Sequence, residues 1–128
     1  MKHTVNLLNA IAALPADRVE LGVKLCAVLN REAQLYAAEN APLIRLEDAV
    51  FTRINDRANN DLPGYMGEWR DAHAQKHGSL LINSDGSYYA EFDLLIPHPR
   101  KPQWFIEAIT VWGRDGVMKA EPRLLAVV

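Results

Sequence analysis

The chain has a single cysteine, Cys26, so no internal disulfide can form and packing alone must hold the fold together. It also lacks a basic stripe. Fourteen Lys and Arg against sixteen Asp and Glu give a formal charge of −2, with the two signs interspersed. A nucleic-acid surface needs clustered cations to displace counterions from phosphates, so no nucleic-acid partner is expected. No apolar run approaches the ~20 residues that cross a bilayer. Residues 5–14, after Lys2, have the outline of a signal peptide, but Asn6 and Asn9 interrupt it and no cleavage site is evident after Pro15. A cytoplasmic protein is the expectation. Nothing resembles a cofactor motif: Gly64-Tyr65-Met66-Gly67 falls far short of a phosphate-cradling loop, and Ser79, Ser84 and Ser87 lack a nucleophile elbow. No cofactor is expected.

What remains is an ordinary globular composition, 49% apolar and 23% charged over 128 residues, which suits one domain spanning the whole chain. Its first 77 residues read as mainly helical. Val5, Leu8, Ile11 and Ala12 share a stripe ended by Pro15. Asp17 with Glu20 forms a capping-box pattern that opens a helix to about residue 39, and Leu21, Leu25, Val28 and Leu35 recur on it at helical spacing. After Pro42, Leu43, Leu46, Val50, Phe51 and Ile54 extend a similar period to about residue 58. Residues 59–64 read as a loop, and a short helix is expected over 67–77, stopped by Gly78.

The period then changes. Residues 79–83 run into a Ser84-Asp85-Gly86 hairpin, and 88–96 alternate. Pro97, Pro99 and Pro102 stiffen the next turn. Residues 104–112 are rich in β-formers, Arg114-Asp115-Gly116 turns the chain, and 117–127 closes a meander, with Pro122 placing that last strand at an edge or bulge. The expected fold is therefore α+β: N-terminal helices followed by a four-stranded antiparallel meander over 78–128. Helices followed by a curved sheet also occur in cystatin-like and SnoaL-like cones, which stand as an alternative at the level of fold alone.

Strict alternation sorts the strand residues into two faces. Tyr88, Ala90, Phe92, Leu94, Phe105, Ile109 and Val111 look like core, with Glu107 an anomaly among them. The other face gathers Tyr89, Glu91, Asp93, Trp104, Ile106, Thr110, Trp112, Lys119, Glu121 and Arg123. Two Trp and an Ile are too apolar for open water, and the charges are too many for a sealed interior. Apolar patches rimmed by charge mark interaction surfaces; the plain competitor is a helix of the same chain lying over them.

The first functional expectation is thus a non-enzymatic interaction or regulatory module, homodimeric through Tyr89, Trp104, Ile106, Thr110, Trp112, Lys119 and Arg123. A second is a small-molecule-binding protein or enzyme with a pocket between sheet and helices near Tyr88, Phe92 and Glu107, since a carboxylate on a core face needs a partner or a raised pKa. A third is a metal site. His73 and His77 stand four apart, which on a helix aligns both imidazoles, with His98, Glu91 or Asp71 as a further ligand; Ala74 stands where a metalloprotease would have Glu. Finally, His98, Arg100 and Lys101 between the prolines form a rigid basic tip suited to an anion or acidic partner, or to plain solvation. Cys26 lies in an apolar helix interior, where a thiol is inert.

Overall fold

A computed structural model describes residues 16–37, 43–114 and 116–126. Over these residues the backbone forms one helix, α1 (Ala16–Ala37), a 3-10 turn (Leu46–Asp48), then six strands: β1 (Val50–Asp56), β2 (Leu62–Arg70), β3 (Lys76–Asn83), β4 (Ser87–Pro97), β5 (Trp104–Arg114) and β6 (Val117–Ala126). A second 3-10 turn, Arg57–Asn59, joins β1 to β2. The strands make one antiparallel sheet in sequence order, β1 to β6.

This overturns the expectation of several helices before a four-stranded meander, and the cone-type alternative with it. The described residues hold one helix, and the sheet has six strands. The apolar spacing of residues 43–58 is instead divided between the Leu46–Asp48 turn and β1, and the short helix expected over 67–77 is the end of β2, a turn and the start of β3. Local composition explains the change. Val50, Thr52 and Ile54 are β-branched and stiff at χ1, and Gly64 and Gly67 weaken any helix through that region. The stripe of residues 5–12 lies outside the described residues.

Alpha1 packs across β4 and β5 and buries Leu25, Cys26, Val28, Leu29 and Ala33, while Leu35 faces outward. Burial pushes the Cys26 thiol up to about 12, so it stays protonated. Asn30 clamps the following segment to the helix: its amide nitrogen donates to the Ile44 carbonyl (2.9 Å) and its oxygen accepts from the Ile44 N–H (2.8 Å). That clamp sets Ile44, Leu46 and Ala49 into the core. Trp69 closes the same corner, buried, with its indole N–H donating to the Arg45 carbonyl at 2.7 Å. No helix among the described residues is long and apolar enough to cross a membrane.

The sheet carries Leu80, Ile82, Tyr88, Ala90, Phe92, Ile109 and Val111 toward α1, all buried. Alternation therefore holds through β4 and the C-terminal part of β5. It fails at Glu107. Ala108 pairs with Asp93 and Arg123, Ile106 pairs with Ile96 and Leu124, and Glu107 is left without a register partner on either side. The extra residue is a β-bulge, which turns the preceding strand over. Ile106 accordingly enters the core at 0% exposure, although simple alternation puts it outside. Phe105, expected in the core, pairs with Leu125 on the outer side and is half-buried. Trp104 follows the parity of Ile106 and leaves the outer face; it sits at the strand end, 41% exposed. Opposite the bulge, Leu95 takes a left-handed conformation (φ 48).

Candidate functional site

The face turned away from α1 is covered by no described element. Register builds it row by row, because antiparallel partners share a face. One row crosses the whole sheet as Thr52, Met66, Leu81, Tyr89, Trp112 and Lys119. Its four middle members are large and mostly apolar, so an apolar stripe runs at right angles to the strands. The neighbouring row toward the hairpin end is small in the middle: Ile54, Gly64 and Asn83, then Ser87, Arg114 and Val117. Large side chains beside small ones leave a trough. It is a groove of about 630 Å³, walled by Leu81, Tyr89, Trp112 and Val117, floored by Asn83, Ser87 and Gly113, and flanked by Asp56, Arg114 and Lys119.

The groove floor is hydrogen-bonded. Asn83 is 4% exposed, and its amide nitrogen donates to the Ser87 hydroxyl (3.1 Å) and to the Asp56 carboxylate (3.4 Å). The Ser87 hydroxyl in turn donates to Asp85 at 2.6 Å, and Arg114 closes on Asp85 from the other side. Hydrogen bonds from Ser87, helped by Arg114, hold the Asp85 carboxyl below its usual range. One group is left out. The Asn83 Oδ1 is buried and has no donor; it lies over Gly64, where a Cβ would come within 2.6 Å of it.

Beyond the stripe, at the other end of the strands, charged groups gather around Arg123. Its guanidinium donates to Glu107 (3.3 Å), Glu91 (3.4 Å) and the Tyr89 hydroxyl (3.4 Å), and that hydroxyl donates to Glu91 at 3.4 Å. Asp93 joins through Glu91. Burial, then the hydrogen bond and charge of Glu91, push Asp93 up to about 6, with Lys76 and Arg123 opposing. Glu91 moves down: burial opposes this, but the Asp93 hydrogen bond and Arg123 outweigh it.

The bulge places Glu107 in this outer cluster. The expected pocket between sheet and helix near Glu107 is replaced by sealed core: Tyr88 is 5% and Phe92 1% exposed, and the Tyr88 hydroxyl donates to the Val117 carbonyl at 2.9 Å. Of the interface residues read from sequence, Tyr89, Thr110, Trp112, Lys119 and Arg123 share the outer face, with Thr110 buried and donating to the Glu121 carbonyl. Trp104 and Ile106 do not share it. Sequence reasoning misses Leu81, Met66, Asn83 and Ser87 as site residues; Met66 falls between the expected loop and the expected short helix, and the neighbours of Asn83 depend on a register that only pairing reveals.

His73 and His77 are not on a helix. His73 lies in the β2–β3 turn, where its N–H and that of Gln75 donate to the Asp71 carboxylate, and His77 is in β3, edge-on to Phe92 with ring centroids 6.4 Å apart. No group of three potential ligands among the described residues could hold a metal ion. The proline-rich tip is anchored to the helix through Tyr36, with Arg100 and Lys101 still exposed. The His98 Nδ1 accepts the N–H groups of Arg100 (3.0 Å) and Lys101 (3.1 Å), its ring meets Tyr36 edge-on, and Arg100 lies 5.4 Å over the same Tyr36 ring. Comparison with protein-family models, curated proteins and solved structures gives no match.

Proposed function

We propose that this protein is an interaction module that binds a segment of a partner protein on its outer sheet face. The observation that carries the reading is the apolar stripe of Met66, Leu81, Tyr89 and Trp112, in direct register across four strands and bordered by a groove. A sheet face that served only as a solvated exterior would alternate to polar residues at those positions. Three further exposed apolar side chains, Val50, Val117 and Leu125, also lie on this face. The groove volume falls within the range of roughly 300–1,000 Å³ that holds small ligands and side-chain anchors, and aromatic residues with cations beside them are the usual anchors of protein recognition.

Selection from a random heptapeptide library tests this. The wild-type protein should enrich a consensus, and Trp112→Glu, shown folded by circular dichroism, should lose it. Enrichment of the same consensus by both proteins refutes the reading. Light scattering on the same pair identifies the partner as a second copy if the wild type is a dimer and Trp112→Glu a monomer.

A further inference from the structure

We infer that two copies of this chain join through β1, strand beside antiparallel strand about a two-fold axis at Thr52, so that their six-stranded sheets become one. The surface is the edge of the sheet rather than its outer face, and the inference does not rest on the reading above.

The two edges of the sheet, β1 and β6, differ. An edge strand carries unpaired N–H and C=O groups that can template another strand, and proteins block it with proline, charged side chains or a bulge. Beta6 carries Pro122, which has no N–H, and the charged series Lys119, Glu121 and Arg123. Beta1 has neither proline nor lysine. Its seven residues keep unbroken register with β2, and Val50 at its start is 55% exposed. Among the described residues no element pairs with its free side.

The sequence of β1 favours a second copy as the occupant. A two-fold axis through the sheet sets residues of equal parity opposite one another, so each candidate centre can be compared. Centred on Arg53, two guanidinium groups meet, which is destabilising for a direct cross-strand pair. Centred on Ile54, Val50 falls outside the paired stretch. Centred on Thr52, no like charges meet between residues 50 and 54. Val50 then lies against the partner's Ile54, and Thr52 against its own copy, a pair that hydrogen-bonds well. On the helix side, Arg53 lies against the partner's Phe51. The Arg53 guanidinium already sits 5.6 Å over the Tyr65 ring, and Phe51 packs half-buried over Gly67, so the cation ends between two aromatic rings. The same axis carries the outer-face row of Thr52, Met66, Leu81, Tyr89 and Trp112 into its symmetry mate without a break.

Light scattering on the full chain should give a dimer. Val50→Lys, shown folded by circular dichroism, should weaken it about tenfold, because symmetry places the lysine against Ile54 twice. Thr52→Cys should form an intermolecular disulfide in oxidised glutathione, since directly opposed residues stand about 4.5–5.5 Å apart at Cα, within disulfide reach. Ile54→Cys should not, and wild type should not, because Cys26 is buried. A monomeric wild type overturns the inference, as does a dimer indifferent to Val50→Lys. A disulfide in Ile54→Cys but not in Thr52→Cys overturns the axis at Thr52. A dimer lost only in Trp112→Glu belongs to the outer face, which refutes the edge pairing and leaves the interaction reading standing; absence of a peptide consensus refutes that reading alone.

Discussion

The two faces of the sheet are made by the same alternating strands, yet one is chemically uniform and the other mixed. Against α1, Leu80, Ile82, Phe92, Ile109 and Val111 are sealed, and the polar groups that approach are few and bonded, as at Tyr88 and Trp69. On the outer side the same strands present Tyr89 beside Glu91 and Trp112 beside Lys119, with carboxylates held by long, part-exposed contacts to Arg123. The difference shows what a covering helix does: it makes a charge beneath it too costly to keep, whereas the face that no described element covers retains a cluster of charged groups.

The sharpest way to break this contrast is at the bulge. Ile106→Ala should lower stability by about 2–5 kcal/mol, as expected for a buried aliphatic, while Phe105→Ala one position away should lower it by about 1 kcal/mol. Chemical denaturation would measure both, and the reverse order would show that the faces have been assigned the wrong way round before Glu107. Next in size, Trp69→Phe keeps most of the buried ring but strips the Arg45 carbonyl of its donor, for a loss of about 1–3 kcal/mol. A smaller cost would mean that water reaches that corner.

The carboxylates around Arg123 should make the outer face respond to pH. Asp93 is raised from an ordinary 3.8 to about 6, so the folded state holds more protons than the unfolded chain between those values. The stabilisation it contributes is complete below about pH 4 and is lost as pH rises through 6. Asp93→Asn should therefore stabilise the protein at pH 7–8, by about 1 kcal/mol once the two-unit shift is discounted for solvent screening, and should have little effect at pH 4. Equal effects at both values would break the link to Glu91.

The smallest effect belongs to His98. Its pKa is lowered from 6.5 by burial and by the charges of Arg100 and Lys101. The unfolded chain thus takes up the proton first as pH falls, so the loop's contribution is present above 6.5 and lost as pH drops through the lowered value. In NMR spectra the amide signals of Arg100 and Lys101 should shift together over that range, since both N–H groups donate to Nδ1. If only one moved, the paired acceptance would be wrong.

Much of the β-half was legible because alternation is a strong local signal. Tyr88 to Phe92 and Ile109 to Trp112 fall where parity puts them, both glycine hairpins are present (Gly86 φ 93, Gly116 φ 83), and Pro122 lies on an edge strand. The first half was misread because Leu43, Leu46, Val50, Phe51 and Ile54 satisfy a helical period by accident, and short apolar runs do not separate helix from strand. The outer-face cluster was half visible. Glu91, Asp93 and Arg123 followed from parity, but Glu107 needed the bulge to join them, and nothing around it in the sequence announces one.

By itself the sequence determined the long helix, the C-terminal hairpins and the sidedness of β4, because each depends on neighbours within a few residues, through the helical period, turn chemistry and the two-residue repeat. Only the tertiary structure decided that β1 and β2 are strands, that β5 turns over at Glu107, and that Asn83 and Ser87 of β3 and β4 come together on the floor of a groove. Those outcomes depend on which strands pair and at what offset, and that is settled by burial of Trp69, Ile106 and the α1 face together, across separations that no local pattern encodes.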